Sequence, residues 1–182
     1  MSKQINAGLG ILAFVVLLGA SFFAYNVLSE NTDMPENIAE ETNLQRASDF
    51  TMEDAAGNEV RLSDFIGQPV MLNFWATWCP ACVRETPYFQ NLYQEASNEV
   101  QILKVNLLGS RGETHNRVEE FMNAGGYTFP LFFDAAGEGA RAYNITAIPI
   151  TFFITAEGYI AATVQGSVNE DTLMRGVEKI HY

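Results

Sequence analysis

The hydrophobic and polar positions divide the 182 residues of the chain into three parts. Residues 4–29 contain no charged side chain, and residues 7–28 within them are almost entirely apolar. As a helix, this apolar run would be about 33 Å long, enough to cross a hydrocarbon core of about 30 Å. The pattern therefore predicts one transmembrane helix within residues 1–28.

The charges that flank this run predict its orientation. Lys3 precedes it, and five acidic residues but no basic one follow before Arg46. The positive-inside rule then places the N-terminus in the cytoplasm and the rest of the chain outside the cell. A cleaved signal peptide is the alternative, although the run is longer than a typical signal segment and Leu18 fits poorly at a cleavage site before Ser21.

Residues 29–47 form a predicted acidic linker, and residues 48–182 carry the pattern of a folded domain. Apolar runs typical of buried strands alternate there with helical spacings. This alternation, closed by a hairpin and a helix, predicts an α/β domain with a mixed central sheet flanked by helices. The predicted strands are 50–53, 59–62, 70–75, 100–107, 129–133, 150–154 and 159–165, and the predicted helices are 80–96, 113–124, 138–143 and 169–180, with a capped turn at 63–67.

Composition excludes several classes of function. The chain has 10 basic and 22 acidic residues, a net charge of −12, which opposes binding to nucleic acid. Two cysteines are too few for a disulfide-rich scaffold or a four-cysteine zinc site. Because His115 and His181 lack the spacing of metal ligands, we predict no metal site.

The candidate chemistry lies in the sequence Cys79-Pro80-Ala81-Cys82. This spacing puts both sulfur atoms on one helical turn, close enough to form a disulfide. So small a loop would stabilise the fold by only about 2 kcal/mol, which argues against a purely structural role. Covalent haem attachment would need a histidine where Val83 stands. The pair is therefore predicted to be a redox-active dithiol.

The neighbouring residues assign a role to each cysteine. A buried strand ends at Trp75, and Pro80 suits the first position of the helix that follows. Cys79 would then lie at the helix N-terminus, where unpaired N–H groups and the helix dipole stabilise a thiolate. Cys82 would lie one turn further in. We expect Cys79 to be the attacking nucleophile and Cys82 the resolving thiol.

The segment 73–82, Asn-Phe-Trp-Ala-Thr-Trp-Cys-Pro-Ala-Cys, followed by Arg-Glu-Thr-Pro at 84–87, resembles the active site of the thioredoxin superfamily. It is most similar to the TlpA/ResA branch of membrane-tethered, extracytoplasmic thiol-disulfide oxidoreductases. The resemblance covers residues 48–182. It implies a thioredoxin fold with an N-terminal β-hairpin and a helical insertion at residues 113–124.

The same resemblance implies a function. Members of this branch reduce protein disulfides outside the cytoplasm, for example those of apocytochrome c, and a membrane thiol donor would return electrons to them. No cofactor beyond the Cys79–Cys82 dithiol is expected. Three alternatives remain: a disulfide-forming oxidase, a non-catalytic binding module that the intact cysteine pair opposes, and a peroxiredoxin-type peroxidase. The peroxidase would need a threonine three residues before its cysteine, whereas Thr77 lies two residues before Cys79.

Two polar positions bear on proton transfer. Glu85 matches the glutamate that the branch carries one turn after its second cysteine, and a partly buried carboxylate there could accept a proton and raise nearby thiol pKa values. The alternative is a solvated glutamate near a helix start. Asn73 stands where cytosolic thioredoxins carry a buried aspartate.

Four further residues are predicted to contact substrate. The resemblance implies a cis peptide bond before Pro149, in a loop that packs against the cysteines and offers backbone groups to an extended substrate. Ile148 precedes this proline. Trp78 and Pro80 flank Cys79, and Trp78 is expected to be half exposed.

Overall fold

The structure is a computed structural model that describes residues 44–181. The strands are β1 Thr51–Asp54, β2 Glu59–Arg61, β3 Val70–Trp75, β4 Gln101–Asn106, β5 Leu131–Phe133, β6 Ile150–Ile154 and β7 Ile160–Gln165. The α-helices are α1 Pro80–Ala96, α2 His115–Gly125, α3 Glu138–Ala142 and α4 Glu170–Ile180, and short 3-10 turns occupy Leu62–Phe65 and Ser110–Gly112. Over this part of the chain, no helix has the length and apolar character needed to span a membrane.

All seven strands belong to one mixed sheet, in the order β2-β1-β5-β4-β3-β6-β7. Strands β3, β4 and β5 are parallel to one another, and every other neighbouring pair is antiparallel. Every residue of β3 is buried, as expected of a central strand covered on both faces. In the parallel pairing of β3 with β4, Asn73 lies opposite Lys104.

Helices α1 and α4 cover one face of the sheet. Because side chains alternate along a strand, Met71 of β3 and Ile102 of β4 point to this face and pack with Phe89 of α1 and Leu173 of α4. Helix α4 approaches β6 closely at Gly176. A Cβ atom at that position would lie 1.9 Å from Cε1 of Phe153, so the packing requires glycine there.

The opposite face is filled mainly by aromatic and branched side chains. Leu72 and Phe74 of β3 pack there with Phe50, and Tyr143, which follows α3, covers them. The Phe74 ring lies 5.9 Å from Phe50 and 5.7 Å from Tyr143, measured between ring centroids. This sheet holds the end of β3, from which the cysteine loop emerges, in a fixed position.

The predicted elements of the domain are all present, with ends shifted by a few residues at most. Gln45 and Ala47, which the sequence assigns to the linker, hydrogen-bond to the β6–β7 region: Ile160 N–H donates to the Gln45 carbonyl and Ala47 N–H to the Gly158 carbonyl, both at 2.9 Å. The predicted transmembrane helix within residues 1–28 and linker residues 29–43 lie outside the described residues.

Candidate active site

Cys79 and Cys82 form a disulfide at the start of α1, with their Cα atoms 5.3 Å apart. Cys79 is the N-cap residue of this helix, Pro80 is its exposed first residue, and the N–H of Cys82 points at Sγ of Cys79 at 3.2 Å. A thiolate formed at Cys79 would accept this hydrogen bond and face the positive end of the helix dipole. Cys79 is 5 % exposed and Cys82 is 0 % exposed, so Cys79 is the more accessible cysteine.

The loop before β6 lies against this disulfide. The Ile148–Pro149 peptide bond is cis, as predicted, and the carbonyl oxygen of Ile148 lies 3.6 Å from Sγ of Cys79. Pro149 is buried, whereas Ile148 is partly exposed. The predicted substrate loop is therefore adjacent to the more accessible cysteine.

Glu85 is fully buried one turn after Cys82, which excludes a solvated position for its side chain. Its Oε1 accepts a hydrogen bond from the Asn73 amide at 3.0 Å, and its Oε2 accepts one from the backbone N–H of Val168 at 3.0 Å. Burial raises the pKa of the Glu85 carboxyl above its ordinary value, while Lys104, Val168 and Asn73 act in the opposite direction.

Lys104 is a second buried ionisable group beside this carboxyl. Its Nζ donates to Oδ1 of Asn73 at 3.0 Å and lies 3.9 Å from Oε1 of Glu85. The ammonium also lies 4.0 Å from the ring centroid of Phe89 and 5.1 Å from that of Trp75. Burial lowers the pKa of Lys104 to about 8, and the Glu85 carboxylate opposes that change. Asn73 thus connects the two charges.

Comparison with known proteins agrees with this geometry. Residues 44–163 match the model of the AhpC/TSA family. The chain belongs to the AhpC/TSA family. It is also 39 % identical to the thiol-disulfide oxidoreductase ResA of Geobacillus kaustophilus over 135 residues, covering 74 % of this chain and 75 % of that protein. This level of similarity, together with the Cys79–Cys82 pair, makes the protein a ResA-like thiol-disulfide oxidoreductase.

Solved structures support the fold. The crystal structure of StoA from Bacillus subtilis superimposes with a TM-score of 0.63 at 33 % identity, covering 71 % of this chain and 96 % of that one. The exposed lipoprotein thioredoxin Etrx1 of Streptococcus pneumoniae gives a TM-score of 0.64 at 28 % identity, covering 72 % of this chain and 99 % of that one. The described domain of this AhpC/TSA-family protein therefore has the predicted thioredoxin fold.

In this oxidoreductase a third buried charged residue, Glu113, holds the loop before the cysteines. Its Oε1 accepts from the backbone N–H of Thr77 and from the Asn106 amide, both at 2.7 Å, and its Oε2 accepts from the Thr77 hydroxyl at 2.6 Å. The carboxylate is 2 % exposed. It therefore fixes the backbone two residues before Cys79.

Trp78, predicted to contact substrate, is half-buried beside Cys79 and is also held by a hydrogen bond. Its Nε1–H points at the backbone carbonyl and the hydroxyl of Ser110, at 3.0 and 3.2 Å. The structure thus brings Trp78, Pro80 and Ile148 to the accessible side of Cys79, and Glu85 to the buried side near Cys82.

Sequence reasoning missed Lys104 and Glu113. Lys104 had a signal, because it is the one charged residue in a run of apolar positions predicted to be a buried strand. A charge at such a position needs a buried partner. Glu113 had no comparable signal, since its burial depends on how the turn at Ser110–Gly112 folds it back under Thr77.

Proposed function

We propose that this protein is an extracytoplasmic reductase of protein disulfides. The observation that supports it best is the placement of Cys79. Cys79 is the more accessible residue of the pair, and its sulfur lies at a helix N-terminus facing the Cys82 N–H and adjoins the Ile148–Pro149 loop. A thiolate at that position is stabilised and has a surface beside it to receive a polypeptide.

The reaction balances as a two-electron exchange. The Cys79 thiolate attacks one sulfur of a substrate disulfide, and the other substrate sulfur leaves as a thiolate that takes up a proton. The Cys82 thiolate then attacks Sγ of Cys79 in the mixed disulfide and forms the Cys79–Cys82 disulfide, and the second substrate sulfur leaves as a thiolate that also takes up a proton. The substrate is reduced by two electrons, and the enzyme dithiol is oxidised. We propose that Glu85 receives the proton that Cys82 loses.

The cellular setting is also proposed. An uncleaved helix within residues 1–28 would anchor the chain with its N-terminus in the cytoplasm, and the acidic linker 29–47 would hold the domain outside the membrane. The oxidised pair would then need a membrane thiol donor. Apocytochrome c is the client that the ResA resemblance supports, and the dithiol would carry the electrons without a further cofactor.

The deciding measurement is the reduction potential of the Cys79–Cys82 pair. The full chain in detergent is equilibrated with dithiol–disulfide buffers, and the reduced fraction is read by thiol labelling. A reductase requires a potential near or below about −270 mV, that of thioredoxin. A potential near about −120 mV, that of DsbA, would overturn the proposal in favour of a disulfide-forming oxidase.

The same preparation is used to test for peroxidase activity, the alternative that the match to the AhpC/TSA family suggests. Reduced protein is mixed with hydrogen peroxide or with a disulfide-bonded peptide, and the loss of free thiols is followed in each case. We expect rapid oxidation by the peptide and slow oxidation by peroxide. Rapid peroxide consumption with no peptide reduction would replace the reductase proposal.

A further inference from the structure

A groove of about 410 Å³ lies on the accessible side of Cys79. We call it the Trp78 groove; its walls are Trp78, the segment that contains Leu107, Ser110 and Arg111, and residues 145–148. Trp78 is the residue before Cys79, and Ile148 places its carbonyl oxygen 3.6 Å from Sγ of Cys79. A polypeptide whose cysteine is joined to Cys79 therefore has its flanking residues next to this groove.

Arg111 is the only charged residue among the groove-lining residues. Its guanidinium carbon lies 4.5 Å from the ring centroid of Trp78, within the range of a cation–π contact. The hydrogen bonds from Trp78 Nε1–H to Ser110 tie the same loop to the same ring. The guanidinium thus contacts the ring of the residue before Cys79, and the loop that carries Arg111 is tied to the same ring by the Ser110 hydrogen bonds.

The N–H groups of Arg111 are left for a ligand. The side chain is exposed, and across residues 44–181 it forms no ion pair and donates no side-chain hydrogen bond. Glu113 is the nearest acidic residue in sequence, but Thr77 and Asn106 occupy both of its oxygens. The contact with Trp78 is a cation–π contact and not a hydrogen bond, and a guanidinium presents its N–H donors in a fork that matches a carboxylate in two-point geometry.

We propose that Arg111 is a specificity-determining residue that selects protein substrates with an aspartate or glutamate close to the reactive cysteine. This inference rests on the proposed function, because it assumes a polypeptide disulfide as substrate. Residues 51–182 carry 8 basic and 16 acidic side chains, so most of the domain repels an acidic segment. Arg111 provides a local positive charge where the substrate chain must pass, and it thereby favours one register and one class of sequence.

The test uses disulfide-bonded peptides that differ only at the position next to one cysteine, which is Asp, Asn or Lys. The reduced full chain in detergent is mixed with each peptide, and the second-order rate constant of peptide reduction is measured. The readout is the ratio of the Asp rate to the Lys rate. Every variant is tested with the same peptides. Differences in intrinsic reactivity between the peptides therefore cancel when the ratios of two variants are compared.

We expect Arg111→Gln to lower this ratio about fivefold, the effect of one charge pair at a partly exposed site. Arg111→Glu should lower it further and make the Lys peptide the faster substrate. High salt should reduce the wild-type ratio, since it screens the interaction. Arg175→Gln, which removes the same charge from the exposed face of α4, is the matched control and should keep the wild-type ratio.

Three results would overturn the inference. The ratio could be the same in Arg111→Gln and in wild type, which would show that Arg111 has no effect on the preference for the Asp peptide. It could fall equally in Arg175→Gln, which would assign the effect to net charge. If wild type reduces none of the peptides, the proposed reductase function fails and the inference falls with it. If wild type reduces all three peptides at equal rates, there is no preference for Arg111→Gln to lower, which is the first result, and the reductase function stands.

Discussion

The Lys104 ammonium lies 3.9 Å from the carboxylate of Glu85, a residue of the helix that carries Cys82, and both side chains are fully buried. They come from different elements, β4 and α1, and the Asn73 amide bridges them with one hydrogen bond to each. Glu85 supplies a buried carboxylate one turn after Cys82, and the Asn73 amide donates a hydrogen bond to it. Lys104 supplies the charge that keeps this carboxylate ionisable in an apolar environment.

Glu85→Gln should lower the pKa of the reactive thiols by about one unit, which corresponds to about 1.4 kcal/mol. The reason is that a carboxylate one turn from Cys82 disfavours a second negative charge on sulfur, whereas the amide does not. The measurement is the alkylation rate of the reduced protein as a function of pH. Glu95→Gln, at an exposed position of the same helix, is the control. An unchanged curve in Glu85→Gln would contradict a role for Glu85 in thiol ionisation.

Lys104→Met should destabilise the fold by about 3 kcal/mol, because it leaves the buried Glu85 carboxylate without its counter-charge. The double variant Lys104→Met/Glu85→Gln should lose less stability than the sum of the losses in the two single variants, since no buried charge is then left without its partner. Denaturant unfolding of the four proteins gives the coupling. Lys179→Met, on the exposed side of α4, should change stability by less than about 0.5 kcal/mol. Strict additivity would show that the two charges do not interact.

The buried pair also predicts a pH dependence of stability. The pKa of Lys104 is about 8 in the folded protein against an ordinary value of 10.5, so the unfolded chain binds more protons between these pH values. The free energy of unfolding should therefore rise with pH across this interval, by up to about 3 kcal/mol. Glu85 acts in the acidic range: its raised pKa means that the folded state loses stability as pH rises above 4.5. The double variant Lys104→Met/Glu85→Gln lacks both groups, so its stability should show neither of these two changes with pH. If the stability of wild type and of the double variant changed with pH in the same way, Lys104 and Glu85 would not be the cause of the pH dependence.

Glu113→Gln should loosen the loop that leads to Cys79. The amide is neutral and has one acceptor oxygen where the carboxylate has two, so the charge-assisted hydrogen bonds from Thr77 and Asn106 are weakened, at a cost of about 1–3 kcal/mol. Hydrogen exchange at the Thr77 amide should become at least about tenfold faster. Glu120→Gln, exposed on α2, should leave this exchange rate unchanged. If the Thr77 amide stays equally protected in Glu113→Gln, the carboxylate does not anchor the loop.

The sequence alone predicted the order of strands and helices in residues 48–182, because each buried strand and amphipathic helix carries its own local pattern. It also located the dithiol, since Cys79, Pro80 and Cys82 form a contiguous motif whose chemistry depends on one helix N-terminus. The similarity of this motif to the TlpA/ResA branch implied the thioredoxin fold and the cis bond before Pro149, both of which the comparisons and the structure confirm. The transmembrane segment and the domain boundaries stay predictions.

Only the tertiary structure brought together the charges around the site. Lys104, Asn73 and Glu85 lie on three separate elements. Their contact depends on the register of β3 and β4, which sets Asn73 opposite Lys104, and on the rotation of α1, which points Glu85 at Asn73. Glu113 reaches Thr77 across 36 positions of sequence through a turn with no distinctive pattern. Local sequence determines which residues can form a strand or a helix. The partner of a buried charge is determined by neighbours across the sheet, because a charge removed from water is stable only where a second element supplies its counter-charge and hydrogen bonds.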